Sequence, residues 1–97
     1  MTINLHPGAE QDLIEAASFY EREGSPILAA RFVREFKRIA GLISEHPEIG
    51  SARAKGLRGI SMGGFPYTVI YRLDTSQITI LVVKHDRRRP GYGSRRS

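Results

Sequence analysis

Residues 65–92 read FPYTVIYRLDTSQITILVVKHDRRRPGY, and their reading decides the fold. Tyr67 to Leu73 mixes β-branched and aromatic residues between Pro66 and the turn residues Asp74-Thr75-Ser76. Gln77 to Lys84 carries Ile78, Thr79, Ile80, Leu81, Val82 and Val83. Both runs have strand length and strand composition, so together they predict a β-hairpin. In the second run the apolar residues occupy both alternation classes, which predicts a central strand covered on both faces. That strand ends in His85-Asp86-Arg87-Arg88-Arg89-Pro90-Gly91-Tyr92. An interior strand thus delivers a histidine, three arginines and a tyrosine to its own C-terminal end.

Working back from the hairpin, Leu57 to Met62 alternates as a further strand, with Arg58, Ile60 and Met62 on one side. Gly63-Gly64 supplies the turn between them and is no phosphate loop, since no helix start follows it. Upstream lies a helix whose stripe is Ala29, Phe32, Val33, Phe36, Ile39, Ala40 and Ile43. Ser25-Pro26 is its N-cap and first-turn pair, and His46-Pro47 ends it. An Arg31–Glu35 pair at i,i+4 is expected on its outer face. The preceding helix starts at Pro7, has Glu10 and Asp12 near its positive end, and stops at Gly24. Ile3 and Leu5 alternate as a first strand. The order is β-α-α-β-β-β, an α+β domain with a helix hairpin on one face of a small, mostly antiparallel sheet. One domain over residues 1–92 is expected, with a mobile basic tail over 93–97 that lacks apolar residues.

Charge is unevenly distributed over the 97 residues, whose net value is +5. Residues 1–48 hold eight acids and five bases, a balance of −3, and residues 49–97 hold two acids and ten bases, a balance of +8. Such asymmetry points to an anionic partner for the C-terminal half. There is no cysteine, which excludes disulfides and thiolate metal sites. His6 and His46 sit at helix boundaries without partners at ligand spacing, so no metal site and no cofactor is expected. The opening MTINLHPG has no signal-peptide pattern and no apolar run is of membrane-spanning length, so a cytoplasmic protein without a membrane partner is expected.

Five pieces in order carry a resemblance: HPGAEQDLIEA at 6–16, SEHPEIG at 44–50, GLR at 56–58, FPYTVIYR at 65–72 and HDRRRPGY at 85–92. The chain resembles the RelE/ParE superfamily of toxins from bacterial type II toxin–antitoxin pairs. The resemblance implies a small α+β toxin, tied to plasmid stabilization and growth arrest, that a cognate antitoxin neutralises. One branch cuts mRNA on the ribosome; the other poisons DNA gyrase without cutting RNA.

The residues favour the second branch. RNA cleavage beside a 2′-hydroxyl needs a base, an acid and positive charge on the developing phosphorane. The RelE-like set implies cations on the central strands and a C-terminal tyrosine, and Arg87 and Tyr92 fall near two of its positions. Other positions depart from it. Arg58 is followed by Gly59, Ile60 and Ser61, and Thr68 stands where an arginine is implied. If the chain cuts RNA, Arg58, Arg87 and Tyr92 form the set, completed by Lys55 or His85. If it binds a target or antitoxin, the contact residues are Arg58, Arg72, His85, Arg87, Arg88, Arg89 and Tyr92. Structural roles compete with these. His85 reads first as a strand-end cap, and Arg72 reads equally as the partner of Asp74 or Asp86 and as a contact residue. The expectation is a gyrase-inhibiting toxin with an acidic antitoxin partner. A ribosome-dependent mRNA endoribonuclease is the alternative, and a nucleic-acid-binding module a minor one.

Overall fold

The computed structural model describes residues 1–97. Strand β1 (Thr2–Leu5) leads into helix α1 (Pro7–Glu23) and helix α2 (Pro26–Glu45). Then follow β2 (Ser51–Ala52), a single 3-10 turn at Ala54–Gly56, β3 (Leu57–Ser61), β4 (Tyr67–Leu73) and β5 (Gln77–His85). The sheet order is β1-β5-β4-β3-β2, with β1 parallel to β5 and every other pairing antiparallel. The α+β order read from the sequence is therefore present, with the two-residue edge strand β2 added to it.

Local chemistry sets the helix limits as the sequence suggested. His6 caps α1 by accepting the Gly8 N–H at Nδ1 (2.9 Å), and Pro7 occupies the first turn. Ser25 Oγ accepts the Leu28 N–H (3.1 Å) at the start of α2. His46 closes that helix through its own N–H on the Leu42 carbonyl. The expected Arg31–Glu35 pair is not formed. Glu35 instead accepts two bonds from the Arg38 guanidinium, both 2.8 Å, and a third from the Gly63 N–H at 2.8 Å. The correction has a geometric reason: Glu35 is turned toward the β3–β4 turn, where a backbone donor awaits it. These bonds hold the Glu35 carboxyl below its ordinary range, the Arg38 hydrogen bond first.

The two faces of the sheet are covered differently. Phe32, Ile39 and Ile43 of α2 and Ala9 and Ala16 of α1 bury one face against Val69, Tyr71, Ile78, Ile80 and Val83. At one end of this core Tyr20, Phe32, Phe65 and Tyr67 meet with ring centroids 5.0–6.2 Å apart, edge to face except for Tyr20 and Phe32, which are tilted at 38°. At the other end the Tyr71 hydroxyl donates to the Pro47 carbonyl (2.7 Å) and accepts the Gly50 N–H (2.9 Å), fixing the α2–β2 loop.

The other face has a smaller apolar floor of Ile70, Leu81 and Val82, with Leu57 and Tyr92 against it. A β-bulge creates that floor. Ile70 pairs with Val82 and Tyr71 with Ile80, which leaves Leu81 as the extra residue of β5. The alternation slips there, so Leu81 and Val82 join the floor while Ile80 and Val83 stay in the main core. This is why apolar residues fill both alternation classes of the strand.

Candidate binding groove on the open sheet face

Past β5 the chain turns at Asp86–Arg88 and comes back across the open face as a C-terminal segment. Asp86 donates its N–H to the Pro66 carbonyl (2.8 Å) and accepts the Thr68 hydroxyl (2.7 Å), which anchors the turn. Gly91 and Gly93 take positive φ, 87° and 75°, a conformation that favours glycine. At Gly93 a Cβ would lie 2.6 Å from a Val82 methyl, so the segment rests directly on the apolar floor.

One carboxylate fastens the segment. Asp12 lies 6% exposed on α1 beneath it. Its Oδ1 accepts the Tyr92 hydroxyl (2.7 Å) and its Oδ2 accepts the Val83 N–H (3.0 Å). Arg96 grips both oxygens, at 2.6 and 3.2 Å, and also donates to the Leu81 carbonyl (3.0 Å). A helix, a strand and the chain end thus meet on one residue. The sequence reading of Asp12 as a helix-dipole acid is superseded, because burial demands partners that a dipole alone does not give. The Asp12 bond raises the Tyr92 pKa first, with burial adding to it, and raises that of Arg96.

Between this segment and the 3-10 turn lies a groove of about 720 Å³. Leu57, Ile70, Leu81 and Val82 form its floor, and Arg53, Lys55, Arg72, Lys84 and Arg96 stand around it with no carboxylate among the lining residues. Lys55 reaches it from a left-handed backbone conformation, φ 62°. Arg72 stays on the rim with Asp74 Oδ2 3.4 Å away, one of the two partners the sequence offered it. A second groove, about 730 Å³, lies on the opposite side of the segment. Ile14 and Phe19 of α1 line it together with Tyr67, His85 and Arg88.

The residues singled out from the sequence are therefore divided. Lys55, Arg72 and Tyr92 come together at the cationic groove. Arg58 does not. It points to the helix side, where it donates to the Glu48 and Gly50 carbonyls at 3.1 and 2.9 Å and lies 3.7 Å from the Glu48 carboxylate. His85 faces the second groove, packs its ring 5.1 Å from Tyr67, and accepts the Arg87 N–H at Nδ1 (3.0 Å), the strand-end cap. Arg87 and Arg89 are exposed in the turn and its exit. Arg88 stacks over the Tyr92 ring at 4.6 Å, with Arg96 at 5.0 Å from the same ring.

Arg53, Lys84, Arg96 and Asp12 were missed. Lys84 carried a legible signal, since it continues the face of Val82 along β5. Asp12 and Arg96 lie 84 positions apart and gave none.

Chemically the groove can hold anions and aliphatic groups, and the hydroxyls nearest it are engaged by carboxylates. The Tyr92 hydroxyl is given to Asp12, the Thr68 hydroxyl to Asp86, and His85 lies on the other side. No group of three or more carboxylates and imidazoles gathers anywhere, and no helix is long and apolar enough to cross a membrane.

The fold and the groove define a small α+β protein with a cationic groove on its open sheet face. The family model described as the ParE toxin of the type II toxin–antitoxin system, parDE, matches residues 3–90, and the chain belongs to that family. A solved chain from the chromosomal ParDE TA system of P. aeruginosa has the same fold. The match has a TM-score of 0.78 at 18% identity and covers 88% of this chain and 95% of that one. No protein with a curated description matches the chain.

Proposed function

We propose that the chain is the growth-arresting component of a type II toxin–antitoxin pair and acts by binding DNA gyrase, not by cutting RNA. The observation that carries this reading is the engagement of the hydroxyls by the groove, Tyr92 on Asp12 and Thr68 on Asp86, with the His85 imidazole on the other side. Cleavage of RNA needs proton transfer at a positioned 2′-hydroxyl, and each lost group lowers the rate by roughly 10²–10⁴. A binding poison needs only a complementary surface. The cations Arg53, Lys55, Arg72 and Lys84 around an aliphatic floor supply one, and Arg87, Arg88 and Arg89 add exposed positive charge in the turn past β5 and its exit.

The partner in this reading is an acidic antitoxin, at least partly helical, that covers the helix hairpin and the sheet. The P. aeruginosa relative comes from a ParDE pair, and the charge balance of residues 49–97 favours an acidic counterpart. Coupled folding of such a segment buries roughly 1,000–3,000 Å². Co-expression and pull-down with the product of an adjacent acidic reading frame checks the partner.

Two assays set side by side check the target: supercoiling by gyrase with added toxin, and cleavage of mRNA on translating ribosomes. Loss of supercoiling with intact mRNA is expected. Codon-positioned cuts with unaffected gyrase would instead establish the endoribonuclease reading, in which Lys55, Arg72 and Lys84 hold phosphates.

A further inference from the structure

We propose that Asp12 and Arg96 are positioning residues for the toxic surface: they form a latch that holds the C-terminal segment as one wall of the cationic groove. The inference rests on the reading of this chain as a toxin that acts by binding. It concerns residues outside the cations expected to touch a target. Tyr92 and Arg96 also lie beyond the residues that the family model matches.

Three observations support a built latch. Asp12 is nearly fully buried, and every bond it accepts comes from the segment or from the strand beneath it. A carboxylate so enclosed is costly unless fully partnered, so the segment and Asp12 depend on each other. Second, Arg96 satisfies the Leu81 carbonyl at the bulge, where the sheet ladder leaves a residue over. Third, α1 makes room for the guanidinium. Gly8 lies within α1 without a positive φ, so its backbone does not require glycine. A Cβ there would fall 2.5 Å from Arg96 Nε and 2.9 Å from its Cδ. The empty position on the helix is the seat of the Arg96 side chain.

The mechanical consequence follows from the groove walls. Pro90 to Ser94 line the groove opposite the 3-10 turn. Their own bonds are three short turns, Tyr92 N–H to Arg89 (3.3 Å), Ser94 N–H to Gly91 (2.9 Å) and Arg96 N–H to Gly93 (3.0 Å). Turns of that size do not hold a strap on a sheet by themselves. With the latch open only the Tyr92–Asp12 bond ties the wall to α1, and the cations no longer flank a fixed floor.

The test uses the full chain with Arg96→Ala, Gly8→Ala and the double variant. Gly8→Ala displaces Arg96 while favouring the helix, since alanine is the better helix former. Amide hydrogen exchange at Ser94 reads the latch, and survival of cells after induction reads the activity. Each single variant is expected to speed Ser94 exchange by about tenfold or more. Each is expected to raise survival by about tenfold or more, and Gly8→Ala should add nothing when Arg96 is already alanine. A merely structural Gly8 would add its own loss in the double variant, and that result overturns the latch. So does unchanged exchange in the single variants, or a wild-type Ser94 amide with no protection. Faster exchange with growth arrest intact overturns the positioning role. A wild-type chain that leaves growth untouched removes the toxin reading, and the exchange measurement alone then decides the latch.

Discussion

The two faces of the sheet are built from the same strands and held by different physics. The helix face is closed by Phe32, Ile39, Ile43 and the aromatic cluster around Tyr20 and Tyr67. The open face has Ile70, Leu81 and Val82 under a short segment that carries no apolar side chain larger than Pro90 and Tyr92. One face is stabilised by buried area, and the segment over the other is kept in order by the bonds that Arg96 and Tyr92 make to Asp12. Most of the buried area therefore belongs to the first face, and the second is left open as a groove.

Mutations can break that division, and the largest effect is expected on the helix face. Phe32 is fully buried and touches three other aromatic rings. Phe32→Ala is expected to destabilise by about 3–5 kcal/mol, read as a fall in the urea midpoint. Leu81→Ala should cost less, about 2 kcal/mol, because the segment above it can settle into the space. An equal loss at both positions would show that the open face is packed as firmly as the other. Tyr71→Phe removes the hydroxyl that bridges Pro47 and Gly50, and about 1–2 kcal/mol is expected.

The triple variant Arg87→Ala, Arg88→Ala, Arg89→Ala separates stability from recognition. Growth arrest should be lost while thermal unfolding shifts little, since exposed changes usually stay within about 0.5 kcal/mol each. A folded triple variant that still arrests growth would take these arginines out of the active surface.

The smallest effect concerns pH. The folded-state pKa of Glu35 is lowered, so its stabilising bonds are fully present above its unfolded pKa and are lost as pH falls through the folded one. Glu35→Gln should flatten that part of the acid limb in a pH series of unfolding midpoints. The Tyr92 shift has the opposite sign. Its pKa is raised, so its contribution is present below its unfolded value and fades only as pH climbs through the folded one.

The fold was legible because its signals are local. Pro7, Ser25-Pro26 and His46-Pro47 mark helix ends through backbone chemistry that reaches only a few residues. The run from Ile78 to Val83 told of two covered faces, although the bulge at Leu81 that makes this possible has no residue signature of its own. The lining of the groove was half legible. Arg72 and Tyr92 reach it from their places near strand ends. Arg58 misled because its parity on β3 points to the helices, and its sequence neighbours do not reveal that the Pro47–Gly50 loop waits there with two carbonyls. Asp12 and Arg96 were invisible for a stricter reason. Their meeting depends on the whole sheet being in place, and nothing near either residue records it.

The separation of Asp12 and Arg96 also fixes an order of events. A chain made from its N-terminus forms the helix hairpin early, since that needs contacts only between neighbours in sequence. β1 must wait for β5, its sole partner in the sheet, more than seventy positions later. The clasp waits longer still, for residue 96 to meet residue 12. Contacts of such span are the slow ones in folding. The groove wall is thus the last piece to assemble, and the growing chain carries its helices and most of its strands before it carries a finished groove.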